Sequence, residues 1–85
     1  MPIRLLLYGT SACHLCEQAA ALLYAVARDN HLEWAEIDIA DDERLLQRYG
    51  TVIPVLRCVD NGAELHWPFT AAEIRCWLSS ISIQE

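Results

Sequence analysis

The hydrophobic pattern of the chain changes period several times, and each change marks an element. Ile3 to Leu7 is a continuous apolar run broken only by Arg4, the pattern of a central strand buried on both faces. Tyr8 to Ala12 reads as a short loop carrying Gly, Thr and Ser. From Cys13 to about Arg28, Leu15, Ala19, Leu22, Leu23 and Val26 recur at helical spacing. Ala20, Ala21, Ala25 and Ala27 fill that helix with strong formers, Thr10 or Ser11 caps its start, and Asp29-Asn30 ends it.

Leu32 to Ile39 then alternates, with Ala35, Ile37 and Ile39 on one side and Glu36 and Asp38 on the other, which predicts a second strand. Asp41-Asp42-Glu43 places acid at the start of a short helix, where the helix dipole favours it. Leu45, Leu46 and Tyr49 form its apolar side and Gly50 stops it. A third strand, VLRCV, follows Pro54. Asn61-Gly62 predicts a two-residue hairpin turn with ELHW as the return strand. Thr70-Ala71-Ala72-Glu73 is a capping box that opens a last helix with Ile74, Trp77, Leu78 and Ile81 on its inner side. The order β-α-β-α-β-β-α predicts an α/β fold, one four-stranded mixed sheet with helices packed on it and a right-handed first crossover.

Composition narrows what such a fold does. With 85 residues and 54% hydrophobic content, one domain with a modest core is expected over residues 1–85. The net charge is −6, all six basic residues are arginines, and they are scattered at Arg4, Arg28, Arg44, Arg48, Arg57 and Arg75. A nucleic-acid surface needs clustered positive charge, so DNA and RNA are excluded as expected partners, and anionic membranes by the same argument. No apolar run reaches the length of a spanning helix. The N-terminal run is too short for a secretion signal, so a soluble, cytoplasmic, monomeric protein is expected.

The candidate chemistry lies in YGTSACHLCE, residues 8 to 17. Cys13 and Cys16 stand three apart where the first strand gives way to the first helix. Free N–H groups and the positive end of the helix dipole stabilise a thiolate at Cys13, and a thiolate is the nucleophile of thiol–disulfide exchange. Cys16, one turn later, is within reach of a mixed disulfide on Cys13. His14 between them modulates the pair by adding positive charge when protonated. Two other readings stand beside this one. A structural zinc site needs four ligands, and the chain has neither a second C-x-x-C nor a His-x-x-x-His; no metal site is expected. Two small buried structural cysteines are the remaining reading. Cys58 and Cys76 read as buried small hydrophobes, and His31 and His66 as residues without a catalytic role. Trp34, Trp67 and Trp77 read as core or sheet-face residues, with Trp67-Pro68-Phe69 as an alternative rim to the site.

The strand-loop-CHLC-helix opening, the segment YGTVIPVL and the order of elements together resemble the glutaredoxins and the wider thioredoxin-fold family, above all their short bacterial glutaredoxin-like members. The resemblance spans nearly the whole chain. It implies a thioredoxin fold with sheet order 2-1-3-4, Cys13 as nucleophile, Cys16 as resolving thiol, and Pro54 as a cis-proline facing the pair. The backbone of Ile53, the residue before that proline, would pair with substrate. The implied activity is a small dithiol–disulfide oxidoreductase acting on protein or small-molecule disulfides. It would hold no bound cofactor and take electrons from glutathione or a dithiol reductase. An iron–sulfur cluster shared between two copies and glutathione is a weaker analogy with some glutaredoxins.

The departures bear on the donor. The inner dipeptide is His-Leu, no Lys or Arg lies just before Cys13, and Trp67-Pro68-Phe69-Thr70 stands where glutaredoxins carry the Gly-Gly and Asp that hold glutathione. A poor glutathione-dependent enzyme is therefore expected. The rival from another class is a non-catalytic thioredoxin-fold interaction module that docks a partner through the cis-proline edge.

Overall fold

The computed structural model describes residues 3–82. In chain order the elements are β1 (Ile3–Gly9), α1 (His14–Asp29), β2 (Leu32–Asp38), a 3-10 turn (Ile39–Asp41), α2 (Glu43–Tyr49), β3 (Val55–Cys58), β4 (Glu64–His66) and α3 (Ala71–Ser82). The strands form one mixed sheet in the order β2-β1-β3-β4, as the resemblance implies. β1 runs parallel to β2, from Ile3 opposite Leu32 to Gly9 opposite Asp38. β3 is antiparallel to β1, with Val55 opposite Tyr8, and β4 is antiparallel to β3, with His66 opposite Val55. The pairing therefore extends β1 through Tyr8 and Gly9, beyond the apolar run.

Apart from the exposed Arg4, β1 is apolar because both its faces are covered. Leu5 and Leu7 point into a core shared with Ala19, Leu23 and Val26 of α1 and Ile74, Leu78 and Ile81 of α3. Both helices supply positions i, i+4 and i+7, one stripe of an amphipathic helix. Tyr8 faces the other way, into a smaller core with Ile39, Tyr49 and Val55 under α2. The faces of β2 alternate as expected, Ile37 and Ile39 on one side and Glu36 and Asp38 on the other. Leu32 and Trp34 pack on the core of α1 and α3, so that face also carries Glu36 and Asp38; Ile37 packs on the α2 side; Ala35 is exposed and Ile39 lies in the 3-10 turn. β2 is an edge strand, so each of its two alternating faces is covered along only part of its length.

Helix ends follow local chemistry. Asp42 caps α2, its carboxylate accepting from the N–H groups of Arg44 (2.9 Å) and Leu45 (3.3 Å). Gly50 ends α2 with φ −55°, so it serves close approach and not a left-handed turn: a Cβ there would sit 2.5 Å from the Leu46 carbonyl oxygen. The capping box of α3 forms as expected, Thr70 Oγ1 accepting from Glu73 N and Glu73 Oε1 from Thr70 N, each at 3.1 Å. The β3–β4 connection is not the two-residue turn that Asn61-Gly62 predicts. Cys58 N–H donates to the Ala63 carbonyl, which leaves Val59 to Gly62 as a four-residue loop. The reason lies on β1: Val59 N–H donates to the Arg4 carbonyl (2.9 Å), and Asp60 pairs with Arg4 (2.9 Å), so both residues are held outward. Gly62 supplies the positive φ of 74° that closes the loop.

On the α2 face a polar cluster gathers around Glu64. His66 (3.1 Å), Arg57 (3.3 Å) and Arg48 (3.6 Å) approach its carboxylate, and the Tyr49 hydroxyl donates to it. The Tyr49 ring stacks on Tyr8 with centroids 4.6 Å apart. Burial raises the Tyr49 pKa, and the hydrogen bond to Glu64 raises it further. At Glu64 burial also pulls upward, but hydrogen bonds from Tyr49 and His66 and the charge of Arg48 outweigh it and hold the carboxyl below its ordinary 4.5. A carboxyl lowered on folding stabilises above its unfolded pKa, and this stabilisation is lost as pH falls through the folded value. Glu64→Gln should therefore destabilise by about 1–3 kcal/mol at neutral pH. The difference from the parent should shrink as pH drops below 4.5. Urea melts of both proteins across that range check it; a gap that stays constant into acid contradicts the ion cluster as its source.

Candidate active site

Gly9 ends β1 and Cys13 begins α1. Cys13, not Thr10 or Ser11, is the N-cap: its backbone is extended at φ −98°, ψ 109°. Its N–H donates to the Thr10 carbonyl (3.3 Å), closing a turn before the helix, and its own carbonyl accepts from Glu17 N–H (3.2 Å). Cys13 and Cys16 are joined as a disulfide, with Cα atoms 5.2 Å apart. The Cys16 N–H donates to Cys13 Sγ at 3.1 Å. A first-turn N–H and the positive end of a 16-residue helix thus both address the Cys13 sulfur. Cys13 is half-buried and Cys16 buried, so Cys13 is the more accessible member of the pair.

Gly9, which the sequence reading passed over, makes room for Cys16. A Cβ at Gly9 would lie 2.7 Å from Cys16 Sγ and 3.0 Å from its Cβ. Gly9→Ala is expected to destabilise by about 1–3 kcal/mol through overpacking. Relief of most of that loss in Gly9→Ala/Cys16→Ala, measured by urea denaturation, assigns the clash to this contact; equal losses in both backgrounds contradict it.

The antiparallel register brings Pro54 to the same end of the sheet. Val55 pairs with Tyr8, so the start of β3 stands where β1 delivers the Cys13 loop. The Ile53–Pro54 bond is cis, Pro54 is buried and Ile53 half-buried. Ile53 N–H is already bonded to the Tyr49 carbonyl (3.2 Å), and no described group donates to the Ile53 carbonyl. A second cis bond, Trp67–Pro68, follows β4 at the same end, beside the Trp67 N–H that donates to the Pro54 carbonyl (3.3 Å). The sequence reading missed it; its one signal was a proline caught between a return strand and a capped helix.

The other candidates separate. His14 is 83% exposed and pairs with Glu17 at 3.6 Å, with no hydrogen bond to either cysteine. His31 and His66 are exposed. Cys58 is buried opposite Leu5, as expected, but Cys76 is exposed. The inner stripe of α3 is Ile74, Leu78 and Ile81, and two positions from Ile74 is about 200° around the helix, the outer face. Brief alkylation of the reduced protein should therefore label Cys13 and Cys76 in the native state and Cys58 only on unfolding. Mass mapping checks it, and early labelling of Cys58 contradicts the burial.

A family profile described as "Glutaredoxin-like domain (DUF836)" matches residues 4–79. The chain belongs to this family. The X-ray structure of the protein XcR50 from X. campestris is 43% identical, over 89% of this chain and 96% of that chain, with a TM-score of 0.78. The solution structure of protein Ne2328 from Nitrosomonas europaea is 32% identical, over 91% and 92% of the two chains, with a TM-score of 0.79. Thioredoxin 1 from Thermosipho africanus, at 13% identity, 93% and 98% coverage and a TM-score of 0.64, shows the shared thioredoxin fold alone. No curated protein matches the chain.

In this glutaredoxin-like chain the segment between β4 and α3 is packed. Phe69 is a core residue, Trp67 is half-buried against it edge-to-face at 5.0 Å, and only Pro68 of the three is exposed. Among the described residues no helix is long and apolar enough to cross a membrane. Glu36 was also missed: the parallel register sets it opposite Leu7, and it lines a cleft together with Cys16.

Proposed function

We propose that the protein is a dithiol–disulfide oxidoreductase working through Cys13 and Cys16. The observation that carries this is the seat of Cys13: an N-cap sulfur that accepts the Cys16 N–H at 3.1 Å, disulfide-linked to a buried partner. In the reduced protein the Cys13 thiolate attacks one sulfur of a substrate R–S–S–R′. A Cys13–S–S–R bond forms and R′–S⁻ leaves to take up a proton. The Cys16 thiolate then attacks Cys13 Sγ, expels R–S⁻ and closes the internal disulfide, so two electrons have passed from the dithiol to the substrate. Ile53 offers its backbone carbonyl to an extended substrate, and Pro54 keeps that edge clear of the protein's own strands. His14, when protonated, adds positive charge at the helix start. The substrates are protein or small-molecule disulfides, and the working compartment is the cytoplasm.

A dithiol reductase suits the oxidised form better than glutathione. Glutathione carries carboxylates that need donors or cations. No Lys or Arg lies between Arg4 and Arg28, Pro68 offers no N–H, and the capping box already occupies Thr70 and Glu73. The test poises the protein in dithiothreitol redox buffers and counts free thiols by alkylation and mass. Reversible loss of two thiols at Cys13 and Cys16 is expected, with reduction of a substrate disulfide supported by a dithiol donor and poorly by glutathione alone. A pair that fails to cycle overturns the redox reading in favour of a docking module; efficient turnover with glutathione alone overturns the choice of donor.

A further inference from the structure

The cleft that reaches Cys16 lies on the flank of the cysteine pair away from Pro54. Pro54 belongs to the β3 side of β1, whereas this cleft runs between α1 and β2, with a volume of about 410 Å³. Ala20, Ala21 and Tyr24 of α1 line one wall. From Cys16 to Tyr24 is eight residues of helix, about 12 Å, room for three to four residues of extended chain. Tyr24 is 66% exposed, and its ring is braced edge-to-face on Trp34 at 5.1 Å. Such a fixed, exposed aromatic face accepts apolar groups and cations.

The charge of the walls has one sign. Glu17 and Glu36 line the cleft, and no Lys or Arg does. Glu17 has His14 as partner at 3.6 Å, while no ion pair to Glu36 forms among the described residues. An apolar wall, a braced aromatic and two carboxylates with no Lys or Arg lining the cleft beside them complement a side chain with an aliphatic stem and a positive tip.

We propose that this cleft is a substrate subsite that takes the residues next to the reacting cysteine of a protein disulfide and selects Lys or Arg among them. The inference rests on the redox reading above and gives that site a substrate class: basic protein segments in preference to anionic thiols. While Cys13 exchanges with the substrate sulfur, the flanking chain lies along α1 with its cation between Glu17 and Glu36 and its stem over Ala20 and Tyr24.

The test uses two synthetic peptide disulfides of one sequence, flanked by Leu-Lys or by Leu-Glu. Each rate with the reduced protein is divided by the rate of dithiothreitol with the same peptide, which removes intrinsic differences in reactivity. At low salt the Lys peptide should react about tenfold faster than the Glu peptide. Glu17→Gln/Glu36→Gln should cut that ratio to about twofold, and Tyr24→Ala should slow the Lys peptide. Glu33→Gln/Asp60→Asn removes two charges at the other end of the sheet and should leave the ratio intact. Hydroxyethyl disulfide, which is small and neutral, should react equally with the parent and with Glu33→Gln/Asp60→Asn, and dividing the peptide rates of each cleft variant by its own rate with this probe removes any change at Cys13 itself. Equal rates for the two peptides, or a ratio that falls as far in Glu33→Gln/Asp60→Asn as in the cleft variant, overturns the subsite. If hydroxyethyl disulfide and both peptides go unreduced by the parent protein, the redox reading fails and takes the subsite with it.

Discussion

Cys13→Ser should lower disulfide reduction to the uncatalysed background, while Cys16→Ser should still react once and then stall as a mixed disulfide on Cys13. The difference follows from where the two sulfurs sit. Cys13 is the half-buried N-cap, with the Cys16 N–H donated to it and the helix dipole behind it. A serine hydroxyl there does not ionise near neutral pH, so the nucleophile is gone. Cys16 is 8% exposed, with Gly9 close against its sulfur, while Cys13 is half-buried, so an external disulfide meets Cys13 first. It is one helical turn from Cys13 and needs no external access to attack a bond on Cys13. Mass spectrometry after mixing with a peptide disulfide should show one peptide adduct on Cys16→Ser and none on Cys13→Ser. An adduct on Cys13→Ser of comparable yield would reverse the assignment of nucleophile and resolving thiol.

Leu56→Ala should cost about 3 kcal/mol of stability, from lost burial and the cavity left behind. Leu56 is fully buried in β3, an inner strand, and its side chain belongs to the core of α1 and α3. A strand hydrogen-bonded on both sides cannot collapse into the gap, which places the cost in the middle of the range for such truncations. A domain of this size has only about 5–15 kcal/mol in all, so the variant should unfold at markedly lower urea. Leu46→Ala, at a position 43% exposed on α2, provides the contrast and should stay within about 0.5 kcal/mol of the parent. Similar urea midpoints for the two variants would mean that the core does not lie where the structure puts it.

What the sequence made legible was mostly local. The apolar run of β1, the stripe of α1 from Ala19 to Val26 and the Thr70–Glu73 box depend on neighbours a few residues away, and each formed as its pattern predicts; Leu15 at the start of that stripe is 42% exposed, and Cys13 takes the cap expected of Thr10 or Ser11. The cis Ile53–Pro54 bond came from resemblance, since no local pattern specifies an isomer. The features that escaped depend on distant chain. The β3–β4 turn widened because Arg4, more than fifty residues earlier, holds Val59 and Asp60. Glu36 meets Cys16 only through the parallel register of β1 and β2. Cys76 is the exception: the stripe of Ile74, Leu78 and Ile81 already places it on the outer face, and reading cysteine as a buried type overrode that stripe.

The two borders of the sheet limit how this molecule can associate. β4 is three residues long and is followed by Pro68, which has no N–H to offer a neighbour. β2 presents seven residues, but Glu33, Glu36 and Asp38 stand exposed along it. Short length, proline and like charge are the devices by which strand borders resist templating another strand. Neither border invites a further strand or a copy of itself, so crowding should not drive the chain into stacked, fibre-like assemblies.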